Sequence, residues 1–177
     1  MYFIQKSIDI DFAHHVAGHS GPCANLHGHT WKFEVGLSAE TLDKEGFVID
    51  FKRLKERVLK PCHALLDHCV AMGSETYEKV SHDLAKVGAE LLETRRPIHG
   101  RIDTYECEAM SLKGAINHFP GGMKVAVFHF NPTSERMAKW LHELATAELE
   151  DGRISVVFAR IFETLHPVES IAEYRSS

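Results

Sequence analysis

"CANLHGHTWKFEV", residues 23–35, decides how this chain is read. His27, His29, Trp31, Phe33 and Val35 alternate with Gly28, Thr30, Lys32 and Glu34. That is the period of a strand with one apolar and one polar face. Both imidazoles therefore open an apolar face, where an imidazole must be desolvated, hydrogen-bonded or bound to something. Residues 3–14 alternate in the same way, with Ile8, Ile10 and Phe12 opposed to Ser7, Asp9 and Asp11. His14 extends the apolar side and His15 the polar side. The loop "GHSGPCAN" (18–25), punctuated by Gly, Pro, Ser and Asn, joins the two strands, and antiparallel pairing across it is expected. Such pairing lets His14, His27 and His29 converge, and three nitrogen ligands with an open position are a geometry used for catalytic zinc. His15, on the wet face, and His19, in the loop, are not expected to be ligands.

The rest of the composition sets bounds. A chain of 177 residues with 44% hydrophobic and 25% charged residues has the make-up of a globular domain with a real core. No apolar run approaches a membrane span, and the acidic N-terminal stretch does not suit a signal peptide, so a cytoplasmic location is expected. A net charge of -5 without a basic stripe argues against nucleic acid as a partner. Four cysteines without a CxxC pair read as thiols rather than as a disulfide framework.

Further along, Asp50 is placed to cap a helix carrying Phe51, Leu54, Val58 and Leu59, and Pro61 is expected to end it. Residues 75–95 have the spacing of a second amphipathic helix. Residues 97–122 read as irregular, "MKVAVFHF" as a short strand, and "NPTSERMAKWLHELATAELEDG" as a capped helix. "RISVVFARIFET" is a strong strand and "VESIAEY" a shorter one. No internal repeat or heptad run is present.

Other residues carry chemistry less directly. Cys23, just upstream of His27, is equally readable as a fourth ligand, a reactive thiol or an inert one. Cys62, Cys69 and Cys107 read as inert. In "LLDH", Asp67 is adjacent to His68, and a carboxylate can orient an imidazole for acid-base work. Glu163 ends a strand at the margin of a buried face, where a carboxylate can accept two parallel N–H bonds from a planar ligand.

Taken together, His14, "CANLHGH", "GFVIDFKRLK", "LLDH", "NPTSE" and "FET" resemble the 6-pyruvoyltetrahydropterin synthase family, which includes the 6-carboxytetrahydropterin synthases of queuosine biosynthesis. The resemblance implies an α+β T-fold, an antiparallel sheet with helices on one face whose subunits close a β-barrel as a trimer or hexamer. It implies Zn2+ on His14, His27 and His29, Cys23 as the proton-abstracting base, and Asp67 and His68 as its acid-base partners. Glu163 would anchor the amino-pyrimidine edge of a pterin, with Thr133 and Ser134 lining its site. The implied substrate is 7,8-dihydroneopterin triphosphate, bound between subunits. Relative to compact members, residues 70–130 form an expected insertion within a single domain. Within the family the first reading is a lyase of the 6-carboxytetrahydropterin type, and its alternative is the pyruvoyl-forming sibling, which eliminates triphosphate and keeps the carbon side chain. A zinc hydrolase that has no need of Cys23, and a non-catalytic zinc or pterin-binding module, are the further competing readings.

Overall fold

The computed structural model describes residues 1–93, 109–166 and 169–176. Cys107, the end of the helix expected over 75–95, the irregular stretch up to 108 and Val168 lie outside the described residues. Eight strands form one sheet: β1 (Tyr2–His14), β2 (His27–Ala39), β3 (Val70–Gly73), β4 (Ser111–Leu112), β5 (Ala115–His118), β6 (Val125–Phe128), β7 (Ile154–Thr164) and β8 (Ser170–Tyr174). Their order across the sheet is β4-β5-β6-β3-β1-β2-β7-β8. β1 and β2 pair antiparallel over thirteen residues each, as their alternation requires, with Ile10 opposite Trp31 and Ile8 opposite Phe33.

The α+β class is as expected, but the sheet is mixed rather than wholly antiparallel. β3 runs parallel to both β1 and β6. The strand β3 and the short pair β4–β5 fall in stretches with no strong alternation, which is why the sequence reading leaves residues 109–122 irregular. In the structure these residues continue the sheet outward from β6.

The first helical stretch corrects a second expectation. Asp50 caps α1 (Phe51–Leu54), its Oδ1 accepting from the Lys52 N–H at 2.8 Å. The helix does not stop at Pro61. It widens into a π turn, Lys55–Leu59, and continues as α2 (Lys60–Leu66). A proline inside a helix lacks one N–H and its ring meets the carbonyl four residues back. The wide turn, closed by the Lys60 N–H on the Lys55 carbonyl, falls where that clash would occur, so the chain runs on.

α1, α2 and α4 (Ser134–Leu149) cover one face of the sheet, burying Leu54, Val58, Leu65, Met137 and Leu141 against Ile10, Trp31, Phe33 and Ile161. The alternate residues Val70, Met72, Val125 and Val127 form a smaller cluster with Tyr77, Val80 and Leu84 of α3 (Ser74–Glu93). Arg160 ties the other end of the sheet together. It bonds Glu34 of β2 at 3.1 Å and also reaches Glu173 of β8, while its guanidinium lies 4.0 Å from the centre of the Phe158 ring.

α3 is held to the turn Pro120–Gly122 by a close approach that only glycine permits. Gly121 has φ +56°, and a Cβ there would stand 2.1 Å from the Ala85 carbonyl oxygen. Gly121→Ala is expected to cost about 2–3 kcal/mol or more, from left-handed strain plus the clash. Gly46→Ala, at φ +87° in open space, should cost only about 1 kcal/mol. Urea unfolding of the two variants checks the difference, and equal losses would remove the close approach as its cause.

Candidate metal centre

The β1–β2 register places His14 directly opposite His27 and Phe12 opposite His29. All three imidazoles lie on the face that continues the core. Their ring centroids are 4.5 Å (His14–His27), 5.0 Å (His27–His29) and 5.8 Å (His14–His29) apart. Trp31, fully buried, is the floor beneath them. It stacks on Phe12 at 4.8 Å, and both His14 and His29 meet it edge-on. Its indole N–H donates to the Phe12 carbonyl at 3.2 Å, which locks the ring in place.

Two backbone carbonyls decide the protonation of the cluster. His14 Nδ1 lies 3.0 Å from the Pro132 carbonyl oxygen, and His27 Nδ1 lies 2.8 Å from that of Asn25. A carbonyl oxygen only accepts, so each Nδ1 carries the proton and donates it. In the neutral rings both Nε2 atoms then bear lone pairs, and these face one another across 3.1 Å. Two opposed lone pairs at that distance repel unless a cation lies between them. Burial holds His14 and His29 below the usual histidine pKa, with the neighbouring His27 pushing the same way; the Glu163 charge and, for His14, the Pro132 bond oppose it.

Glu163, at the end of β7, completes the group. Its Oε1 is 3.4 Å from His14 Nε2, and its Oε2 accepts from the Ser134 hydroxyl at 3.3 Å. The candidate ligand atoms of His14, His27, His29 and Glu163 all lie within 4.8 Å of one another. Neutral imidazoles oriented by carbonyls, with one carboxylate beside them, are a donor set that suits zinc. The residues present therefore fit such an ion. A cavity of about 340 Å³ opens beside the cluster, lined by His29, Thr30, Glu163, Thr164, Leu165 and His166. Leu165 and His166 were not singled out from the sequence. Their only signal there was position, directly after the Glu163 strand end.

The remaining site candidates are distributed around this group. Cys23 lies in the 3-10 turn Pro22–Ala24, half-buried, and its carbonyl accepts from the Val16 N–H at 3.1 Å. It does not join the four-residue cluster. Thr133 caps α4 through its hydroxyl, which accepts from the Arg136 N–H at 3.4 Å, and the next residue is the Ser134 that reaches Glu163. Asp67 and His68 form a pair of their own, with His68 Nδ1 3.0 Å from Asp67 Oδ2. Asp67 Oδ1 also has His63 Nε2 at 3.8 Å. His68 has φ +56°, a left-handed backbone that a non-glycine residue keeps only when its surroundings impose it. Neither Asp67 nor His68 is part of the four-residue cluster. Neither His15 nor His19 joins the cluster, as their positions in the sequence predict.

Comparison with known proteins bears on the same residues. The family model described as 6-pyruvoyl tetrahydropterin synthase matches residues 3–176. A Rickettsia typhi protein named 6-carboxy-5,6,7,8-tetrahydropterin synthase is 36% identical over 160 residues, covering 90% of this chain and 91% of that protein. A Haemophilus influenzae protein of the same name is 42% identical over 71 residues, spanning 38% of this chain and 50% of its own length. The solved structure of the Caenorhabditis elegans 6-pyruvoyl tetrahydropterin synthase superposes with a TM-score of 0.56 at 17% identity, over 99% of this chain and 96% of that one. That likeness extends the fold, the T-fold, to this chain. On its sequence match, the chain belongs to the 6-pyruvoyl tetrahydropterin synthase family.

Proposed function

We propose that this chain is a zinc-dependent 6-carboxy-5,6,7,8-tetrahydropterin synthase of queuosine biosynthesis. It acts on 7,8-dihydroneopterin triphosphate and releases acetaldehyde and triphosphate. The observation that carries the reading is the 3.1 Å apposition of the His14 and His27 Nε2 atoms, each ring fixed by a carbonyl behind it. The name borne by the Rickettsia typhi relative supports the carboxy product over the pyruvoyl one.

His14, His27 and His29 would hold the zinc, which when bound supplies Lewis acidity. The half-buried Cys23 thiolate takes a proton from the substrate carbon. Asp67 holds the Nδ1–H of His68, so that His68 Nε2 is the atom that gives or takes a proton. Glu163, steadied by Ser134, accepts the N–H groups of the pterin ring edge, with Thr133 beside it at the start of α4. Membership of the family supports a homo-oligomer, a trimer or hexamer closing a β-barrel, with sites between subunits. Residues 70–130 are then an insertion within a single domain, and the protein works in the cytoplasm on a small-molecule substrate.

The zinc-loaded protein with 7,8-dihydroneopterin triphosphate is expected to yield a carboxytetrahydropterin by mass spectrometry, with acetaldehyde detected alongside. A pyruvoyl product without acetaldehyde would overturn the carboxy assignment. Cys23→Ala should lower turnover by about 100-fold or more while keeping zinc. Full turnover in that variant would favour a zinc hydrolase instead.

Metal analysis provides an independent check on the ligands. His27→Ala is expected to lose zinc on purification and His15→Ala to retain it. Equal zinc in both would break the strand-face argument.

A further inference from the structure

The chain leaving α2 is held on every side. Asp67 N–H donates to the His63 carbonyl at 2.8 Å, His68 N–H to that of Asp11 at 2.8 Å, and Cys69 N–H to that of Leu66 at 3.0 Å. The Cys69 carbonyl accepts from Ala13 N–H at 3.0 Å, and Val70 N–H donates to the Lys124 carbonyl at 3.1 Å. A helix ends with four carbonyls that have no partner within it. Those of α2 belong to His63, Ala64, Leu65 and Leu66. The Asp67 and Cys69 amides satisfy the first and the last. Side chains from far along the chain satisfy the middle two. Lys124 Nζ donates to the Ala64 carbonyl at 2.7 Å, and Asn117 Nδ2 to that of Leu65 at 2.9 Å. Lys124 Nζ also donates to the Asp67 carbonyl at 2.9 Å.

Lys124 therefore grips the helix exit at both ends of one short span, from Ala64 to Val70, by its side chain and its own carbonyl. A cation is favoured at a helix C-terminus, so its charge is well placed there. Within this span Asp67 orients His68, whose left-handed backbone needs outside support. Both anchoring residues come from the 70–130 segment, Asn117 from β5 and Lys124 from the residue just before β6.

We propose that Lys124, with Asn117, is a positioning residue for the Asp67–His68 pair, and that holding this pair is a task of the extra sheet strands. The inference rests on the acid-base reading of Asp67 and His68. Lys124 Nζ donates to backbone carbonyls of the helix exit and acts through the geometry it imposes.

The test compares Lys124→Met, Lys124→Arg, His68→Ala and Val127→Ala in the full-length zinc-loaded protein with 7,8-dihydroneopterin triphosphate. Val127 is a buried β6 residue in the small cluster against α3, so its truncation loosens the same strands without touching the carbonyls. Lys124→Met is expected to lower kcat roughly 10–100-fold, with KM changed less than about twofold and zinc retained. Hydrogen exchange over residues 63–70 should quicken in parallel, and Lys124→Arg should restore most of both. Should Lys124→Met fail to fold, Lys124→Gln, which removes the charge and shortens the reach while keeping an amide donor, gives the same readouts. Full kcat in the Lys124 variant while His68→Ala is inactive would overturn the positioning role alone. So would an equal loss of kcat in Val127→Ala. Full kcat in His68→Ala would overturn the acid-base reading beneath it, with the exchange data still reporting whether Lys124 holds the helix exit.

Discussion

The antiparallel register between β1 and β2 is the constraint on which the candidate centre depends. His14 meets His27 only because Ile10 meets Trp31 and Phe12 meets His29 on the same face. A slip of one residue would turn every one of those side chains to the other side of the sheet. Burial forbids the slip, since Ile10, Phe12, Trp31 and Phe33 would all be moved into water. The core and the cluster are thus two ends of one stripe. The same pairing that removes apolar surface from water brings three imidazoles together at the open end. Beyond β2, the Arg160 contacts with Glu34 and Glu173 carry that register on to β7 and β8.

The position of β3 gives the second constraint. It enters the sheet between β1 and β6, so β1 has neighbours on both sides, with the parallel pairs Ala13–Val70 and His14–Ala71 at its C-terminal end. A side chain at a free strand end would fray. His14 instead sits in a strand end flanked by two partners, beneath the carbonyl of Pro132 and beside Trp31. Rigid support of this kind is what holds a metal or catalytic geometry to within fractions of an ångström.

What was legible in the sequence was what has a local signature. The faces of β1 and β2 follow from alternation, and the starts of α1 and α4 follow from Asp50 and the cap-like run Asn131–Ser134. The alternation alone puts His14, His27 and His29 on one side. Pro61 misled because the usual penalty for an internal proline is relieved by a π turn, which has no sequence sign of its own. β3 was missed because four residues are too few to show a period, and its parallel partners lie far off in the chain. Glu163 reads as a half-wet strand end. Its approach to His14 depends on the whole order of the sheet. Asn117 and Lys124 look like ordinary polar residues, and only the tertiary structure shows which carbonyls they meet.

The bond from His14 Nδ1 to the Pro132 carbonyl spans 118 positions of the chain. On a ribosome, the paired strands β1 and β2 emerge early, carrying all three imidazoles, while Pro132 and Glu163 are still untranslated. Until they arrive, the His14 ring has no fixed tautomer and the cluster has no carboxylate. The hairpin alone brings the rings together, but fixing the His14 tautomer waits for a chain that has closed on itself, so the state of that ring reports whether the later half of the fold has docked.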